Sequence, residues 1–263
     1  MYTVFIFSSV FKLESILFFL YNSINSFNRI FEILKKKEEN LLNFTKIQLG
    51  FKYLNVSYEK ISFSYFLDSL KSFPVLNNIT FNINQNEAIL FFGGNKFERS
   101  CIVNLLLKFY NPDNGFIKIN NICISSFNVV DLRNNIGIIS SELTLFNGSI
   151  KENIDYGKPG STDLELFEAC LKSNILNFVN SLPEGLDTFI GKNGINLSLE
   201  EEKCIIISRI ILKNPSILIL NDIDDYFNFK SIRNLLISLM KNKITIITSD
   251  KFLNFIDFNE IYI

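Results

Sequence analysis

The sequence predicts an α/β domain built on a buried, mostly parallel β-sheet, preceded by a separate apolar helix. Two observations carry this. Short uninterrupted apolar runs, such as residues 216–220 (SILIL) and 244–248 (ITIIT), read as strands covered on both faces. Stretches with apolar residues at helical spacing alternate with those runs, and that order of elements produces a parallel sheet. A chain of 263 residues that is 48% hydrophobic has ample material for such a core.

Taken in order, residues 1–34 come first. They are apolar and aromatic, interrupted by Lys12 and Glu14. The uninterrupted part, near residues 2–11, is shorter than the roughly 20 residues that span a bilayer. It lacks the charged start and small-residue cleavage site of a signal peptide. Ile16, Phe19, Leu20, Ile24, Phe27, Ile30, Phe31 and Leu34 recur at helical spacing and predict a long amphipathic helix. The residues alone leave open whether it packs on the domain or ends a membrane helix. Residues 35–50 (KKKEENLLNFTKIQLG) read as a linker, and the compact domain is expected over 51–263.

Within that domain, strands are expected at 55–65, 79–83, 88–92, 116–119, 136–140, 217–220, 244–248 and 260–263. Three helical stripes lie between them: Ile102, Leu105, Leu106 and Phe109; Leu164, Phe167, Leu171, Ile175 and Phe178; and Ile232, Leu235, Leu236, Leu239 and Met240. There is no internal repeat and no low-complexity tract.

Composition excludes several classes of function. Net charge is −1, and the basic cluster Lys35, Lys36, Lys37 runs straight into Glu38 and Glu39, so no nucleic-acid partner is expected. Cys101, Cys123, Cys170 and Cys204 are far apart without metal-ligand spacing, which fits a reducing compartment. The chain has no histidine, which excludes Ser/His/Asp catalysis and His-ligated metals.

The expected strand 88–92 leads directly into Gly93, Gly94, Asn95, Lys96, Phe97, Glu98, Arg99, Ser100 and Cys101, and then into a helix. Strand, tight loop and helix N-terminus form the context of a phosphate-binding loop. In the pattern G-x-x-x-x-G-K-[ST], backbone N–H groups wrap the phosphates, the lysine reaches the terminal ones, and the hydroxyl binds Mg²⁺. Gly93 fills the first glycine and Ser100 the hydroxyl, but Glu98 stands at the last glycine and Arg99 at the lysine. Two expectations follow. A left-handed backbone at Glu98 costs roughly 1–2 kcal/mol. Its carboxylate set about 4 Å from a polyphosphate repels it by about 4 kcal/mol at an effective dielectric near 20. Arg99 keeps the charge but not the compact reach of an ammonium. Taken alone, the loop reads more readily as an ordinary strand–turn–helix than as a phosphate site.

The remaining motifs are more specific. Phe63-Ser64-Tyr65 and Val75-Leu76-Asn77-Asn78-Ile79 precede the loop. After it come Leu106-Leu107-Lys108-Phe109-Tyr110-Asn111-Pro112-Asp113-Asn114-Gly115, then Asp131-Leu132-Arg133 and Ile136-Gly137. Leu145-Phe146-Asn147-Gly148-Ser149-Ile150-Lys151-Glu152-Asn153-Ile154 follows. Further on are Leu182-Pro183-Glu184-Gly185-Leu186-Asp187-Thr188, Gly191-Lys192-Asn193-Gly194 and Asn214-Pro215-Ser216-Ile217-Leu218-Ile219-Leu220. Motif after motif and in order, these resemble the nucleotide-binding domain of B-type ABC (ATP-binding cassette) exporters, over about four fifths of the chain. The resemblance implies a P-loop NTPase-like ABC cassette, with a mixed β core, a helical subdomain and an N-terminal helix. Phe27-Asn28-Arg29-Ile30-Phe31-Glu32-Ile33-Leu34 resembles the "R-I-F-E-L-L" end of the exporter's last transmembrane helix, so residues 1–34 are expected to be its cytoplasmic end.

The resemblance also implies roles, and there the chain departs from the pattern. Tyr65 falls at the aromatic that stacks on adenine, and residues 93–101 at the phosphate loop. Asn221 replaces the Walker B aspartate, and Asp222 replaces the glutamate that polarises the attacking water. Ser141 stands at the Q-loop glutamine, and Ser249 near the switch histidine. Asp225-Tyr226-Phe227-Asn228 replaces the D-loop "S-A-L-D". Ser100, Ser141 and Asn221 are what remains for Mg²⁺. Leu197, Ser198, Leu199, Glu200 and Glu201 stand at the signature "L-S-G-G-Q", which faces a partner's γ-phosphate. Leu199 and Glu200 replace glycines there, and Ser198 can equally cap its helix. Asp222, Asp224 and Asp225 can equally form a solvated turn.

The implied cofactors are therefore ATP and Mg²⁺. The implied partners are a second cassette, paired head to tail, and the membrane domain of an ABC transporter. The implied location is membrane-associated, with the cassette facing a cytosol or mitochondrial-type matrix. Because phosphate loop and signature are both altered, even an intact partner would form two impaired sites. Three readings follow: a non-hydrolysing regulatory or structural cassette; a working ATPase in which Arg99 and Asp222 substitute for Lys and Glu; and a relic fragment.

Overall fold

The computed structural model describes residues 2–35, 54–68, 71–192, 194–250 and 259–262. The chain divides into two compact units, Met1–Asn43 and Phe44–Ile263. The first holds helix α1 (Tyr2–Leu34), whose side chains at 12, 14 and 16–35 are all exposed. The helix forms as its spacing predicts, but its apolar surface is wider than the predicted stripe: Leu17, Phe18, Tyr21 and Ile33 lie off that stripe and are also apolar. Among the described residues no helix is long and apolar enough to cross a membrane. Past Lys35, the expected linker lies outside the described residues.

The second unit opens with strands β1 (Asn55–Asp68), β2 (Lys71–Asn84) and β3 (Ala88–Phe92), then helix α2 (Lys96–Leu106). Next come β4 (Asn114–Ile119), β5 (Ile122–Cys123), α3 (Val129–Asn134), β6 (Ile136–Ser140), β7 (Gly148–Ser149) and α4 (Ile150–Asp155). Helices α5 (Asp163–Lys172) and α6 (Leu176–Ser181) precede β8 (Phe189–Ile190), α7 (Leu199–Lys213) and β9 (Ile217–Asn221). Helix α8 (Lys230–Met240), β10 (Ile244–Ser249) and β11 (Asn259–Tyr262) complete it.

Strands β2-β1-β4-β5 form an antiparallel sheet, and β11-β3-β10-β9-β6 a parallel one. Pro74 sits in β2, an edge strand, where its missing N–H breaks no ladder. Strands β3, β9 and β10 of the parallel sheet are buried on both faces, as their apolar runs predict. In β9, Ile217 and Ile219 face the core shared with the antiparallel sheet and α2, while Leu218 and Leu220 face the helical side.

Two of the three helical stripes need correction. Helix α2 ends at its C-cap Leu107, and Lys108 turns to φ 56°, so Phe109 lies past the helix. It is exposed beneath the Arg133 guanidinium, 4.7 Å from the ring centroid. The stripe 164–178 is broken at Asn174, where φ is 64°, into α5 and α6. On α5 the buried residues are Leu166, Ala169 and Cys170, not Leu164, Phe167 and Leu171, which are exposed. The exposed face carries the larger apolar side chains; α5 packs against α7, and the face that it buries holds the smaller ones. The third stripe holds, with Ile232, Leu235 and Leu236 buried on α8.

The helical side is organised by one fully buried amide, Asn153 on α4. Its Nδ2 donates to the Phe146 carbonyl (3.0 Å) and the Ser149 carbonyl (2.9 Å). Its Oδ1 accepts from the Phe146 N–H (3.1 Å) and Arg209 Nη2 (2.5 Å), while Arg209 Nε donates to its carbonyl (2.7 Å). The segment 145–154 is thereby pinned to α7. Nearby, Gly191 has φ +96°, and a Cβ there would lie 2.2 Å from Asn147 Oδ1, the acceptor of the Lys192 N–H at 2.7 Å.

Candidate nucleotide site at the carboxyl edge of the sheet

The register of the parallel sheet aligns four strand ends. Ser249 pairs with Phe92, Thr248 with Asn221, and Ser140 with Asn221. Gly93, Ser141, Asp222 and Asp250 are the next residues along their chains, so they emerge together at one edge. Open parallel sheets place ligands at that carboxyl edge.

The loop after β3 is tighter than the sequence pattern suggests. Gly93 (φ 80°) and Gly94 (φ 56°) make the turn, and α2 begins at Lys96 with Asn95 as N-cap. The Asn95 side chain accepts from the Glu98 N–H (3.1 Å), and Glu98 Oε2 accepts from the Asn95 N–H (3.0 Å). This reciprocal pair is a capping box, in which a carboxylate satisfies a donor that helix geometry leaves free. The expected strain at Glu98 is therefore absent: it sits in helical backbone, and no left-handed conformation is imposed on it. Its carboxylate is turned onto the loop's own backbone, where an anionic ligand would otherwise bind. Phe97 is exposed and Ser100 half-buried.

Arg99 also turns inward. It is 2% exposed, the largest buried polar side chain of the described residues. Its Nη1 donates to the Gly93 carbonyl (2.8 Å) and its Nε to Asp222 Oδ1 (3.4 Å), while Nη2 pairs with the Asp250 carboxylate. The guanidinium thus ties the loop to the ends of β9 and β10. Asp222 has φ 48°, and its N–H donates to Thr248 Oγ1 (2.9 Å). Burial raises its pKa above the usual carboxylate value, an effect opposed by the Arg99 charge. A solvated turn is thus excluded at Asp222, which is largely buried and ion-paired. Asp224 accepts from Ser249 Oγ (2.8 Å) and the Asp250 N–H (3.1 Å), and only Asp225 is exposed.

Of the residues left for Mg²⁺, Ser100 is half-buried. Asn221 Oδ1 accepts from Thr248 Oγ1 (2.9 Å), and Ser141 is exposed. Among the described residues no three Asp, Glu, His or Cys side chains gather as a metal would need. Asp222 Oδ2 is buried without a hydrogen-bond donor, and a chain cation, Lys96 Nζ, lies 3.8 Å from it. That ammonium pairs at the same time with Glu142, which raises the Lys96 pKa.

Tyr65 is half-buried. Its ring packs edge-on with Phe63 (4.9 Å between centroids) and Tyr110 (5.2 Å), and burial raises its pKa. Burial raises the Cys101 thiol pKa. The signature segment repeats the arrangement at the phosphate loop. Ser198 is the N-cap of α7, its Oγ accepting from the Glu201 N–H (3.3 Å), while Glu201 Oε2 accepts from the Ser198 N–H (2.7 Å). Glu200 pairs with the Ser231 hydroxyl, Leu199 is exposed and Leu197 half-buried. Thr248, Glu142 and Asp250 are site residues that pattern matching passed over. Each ends or follows a buried parallel strand, the one signal that marks them.

A parallel sheet with a strand–loop–helix at its carboxyl edge defines an α/β nucleotide-binding domain of the P-loop type. The family described as "ABC transporter" matches residues 76–224. The ATP-dependent lipid A-core flippase of Coxiella burnetii is 39% identical over 168 residues, covering 64% of this chain and 28% of that protein. The ABC multidrug transporter mdr2 of Aspergillus fumigatus is 33% identical over 222 residues, covering 84% of this chain and 28% of that one. A bacterial Atm1-family ABC exporter solved with ATP bound shares the fold at a TM-score of 0.71 and 24% identity, covering 88% of this chain and 40% of that one. The chain belongs to the ABC transporter family, and the match falls on its ATP-binding domain. It spans 28% of the length of each of the two curated relatives named. The family generally uses ATP and Mg²⁺.

Proposed function

We propose that this cassette is a non-hydrolysing subunit of a membrane exporter, a pseudo-ATPase that binds nucleotide weakly, because the Arg99 guanidinium at the end of its loop is taken up by the chain's own groups. One observation carries the reading. The two helix N-termini that would face phosphate, α2 and α7, are each closed by their own carboxylate, Glu98 and Glu201. Partial positive charge at a helix N-terminus favours an anion, and here a side chain already supplies it. The arrangement suits a regulatory or structural half, paired with a second cassette and a membrane domain whose last helix ends in α1. The cassette then faces a reducing compartment, in keeping with its free cysteines. Purified chain with millimolar Mg-ATP is expected to show no turnover above that of Asp222→Asn. Glu98→Gly is expected to bind ATP more tightly than the natural chain. Turnover like that of an ordinary cassette overturns the reading.

A second reading, an active ATPase using Asp222 as its base, draws on one feature: the unpartnered Oδ2 of Asp222 and the raised pKa that burial gives it. Turnover that disappears in Asp222→Asn decides for this reading.

A further inference from the structure

We propose that Lys96 is a tethered cation that occupies the cation position between Glu142 and Asp222 and keeps divalent ions out. Lys96 is the first residue of α2, and its ammonium reaches the Glu142 carboxylate beyond the end of β6 and Asp222 Oδ2 beyond the end of β9. Asp222 is 10% exposed, and that oxygen has no hydrogen-bond donor, so its need for positive charge is met by the ammonium at 3.8 Å. The other oxygen, Oδ1, is engaged by Arg99. Two cations of the chain thus take the two carboxylate oxygens that a hard divalent ion would take.

An ammonium suits this place. It is a compact point charge with three donors, whereas a guanidinium is a planar fork. Glu142 raises its pKa, so it stays charged across the neutral range. A fixed positive charge at this distance repels a second cation, and the pair Glu142–Asp222 becomes available when that charge is removed. The inference rests on the reading of the crevice as occupied by its own side chains. Its test uses no nucleotide, so the two fail separately.

The test is titration of Mn²⁺ alone into the full chain, with free Mn²⁺ followed by electron paramagnetic resonance. Lys96→Met is expected to bind Mn²⁺ about tenfold or more tightly than the natural chain, and Lys96→Arg to bind no better than it. Adding Glu142→Gln to Lys96→Met is expected to abolish the gain. The side chain of Lys96 is 53% exposed, so these variants should fold, as circular dichroism will report; Lys96→Gln replaces Lys96→Met if that variant does not. The proposal is overturned if folded Lys96→Met gains nothing, if the natural chain already binds as tightly, or if the gain survives in the double variant.

Discussion

Two polar clusters organise this cassette, and they are built to opposite plans. Around Asn153, one neutral amide and one arginine satisfy backbone groups of the segment 145–154, and both hydrogens and the oxygen of the amide are used. Around Arg99, Lys96, Asp222 and Asp250, charge balances charge at the ends of β3, β9 and β10, and one buried carboxylate oxygen has no donor. The first cluster lies where the chain follows the family pattern most closely, and the second where it departs most. Backbone geometry admits few side chains at the first. The second is built from ion pairs among the chain's own charges.

The comparison breaks first at Asn153. Asn153→Ala leaves the Phe146 N–H and C=O and part of the Arg209 fork without a partner and empties a fully buried amide site, and should cost about 3 kcal/mol. Urea unfolding measures it. A loss under about 1 kcal/mol would mean that the amide is no hub.

Arg99→Met comes next, at about 2 kcal/mol. Breaking a buried ion pair costs more than that, but Asp250 is exposed and solvent screens its share. The variant also gives a sign to check against pH. Burial already raises the Asp222 pKa, and losing the Arg99 charge raises it further. The folded state then holds a proton that the unfolded chain releases near 3.8. Stability therefore falls as pH rises from that value through the folded pKa, more steeply in Arg99→Met than in the natural chain. Parallel pH profiles would contradict this.

Gly191→Ala sharpens the same contrast at about 1–2 kcal/mol, because an alanine there is held left-handed. Its Cβ would also strike Asn147 Oδ1. Thermal melts should show the loss with no change in nucleotide affinity, since Gly191 belongs to the scaffold cluster.

Much of this fold was legible in the sequence, and the reason is visible in particular residues. The runs 217–220 and 244–248 are strands because both faces of their sheet are covered, so no polar residue interrupts them. The stripe on α5 was misread because Leu164, Phe167 and Leu171 share the helical period of the buried face, and only packing against α7 separates the two. At the candidate site the departures at Glu98, Arg99, Asn221 and Asp222 stood out as residues. What they do did not, because the pattern assumes a ligand. Glu98 was expected to strain the backbone, yet it sits in helical backbone and caps α2. Arg99 stands at the position of the phosphate-binding lysine, yet it is buried against the loop's own carbonyls. The joining of Glu142, Lys96 and Asp222 depends on strand register, which spacing along the chain does not carry.

The smallest expected effect on stability is the most informative about the crevice. In Glu98→Ala, the Asn95 side chain still accepts from the backbone N–H of residue 98, so half of the capping box survives. The half that is lost frees the Asn95 N–H, which is exposed and can turn to water. The cost should therefore be low, about 0.5–1 kcal/mol, by urea unfolding. The freed donor at the start of α2 is also what an anion would use, so the same variant should bind ATP without Mg²⁺ more tightly than the natural chain. A loss above about 2 kcal/mol would show that the Glu98 carboxylate does more than cap the helix. No gain in binding would show that Arg99, not Glu98, closes the loop, since its guanidinium would still hold the Gly93 carbonyl and Asp222 together.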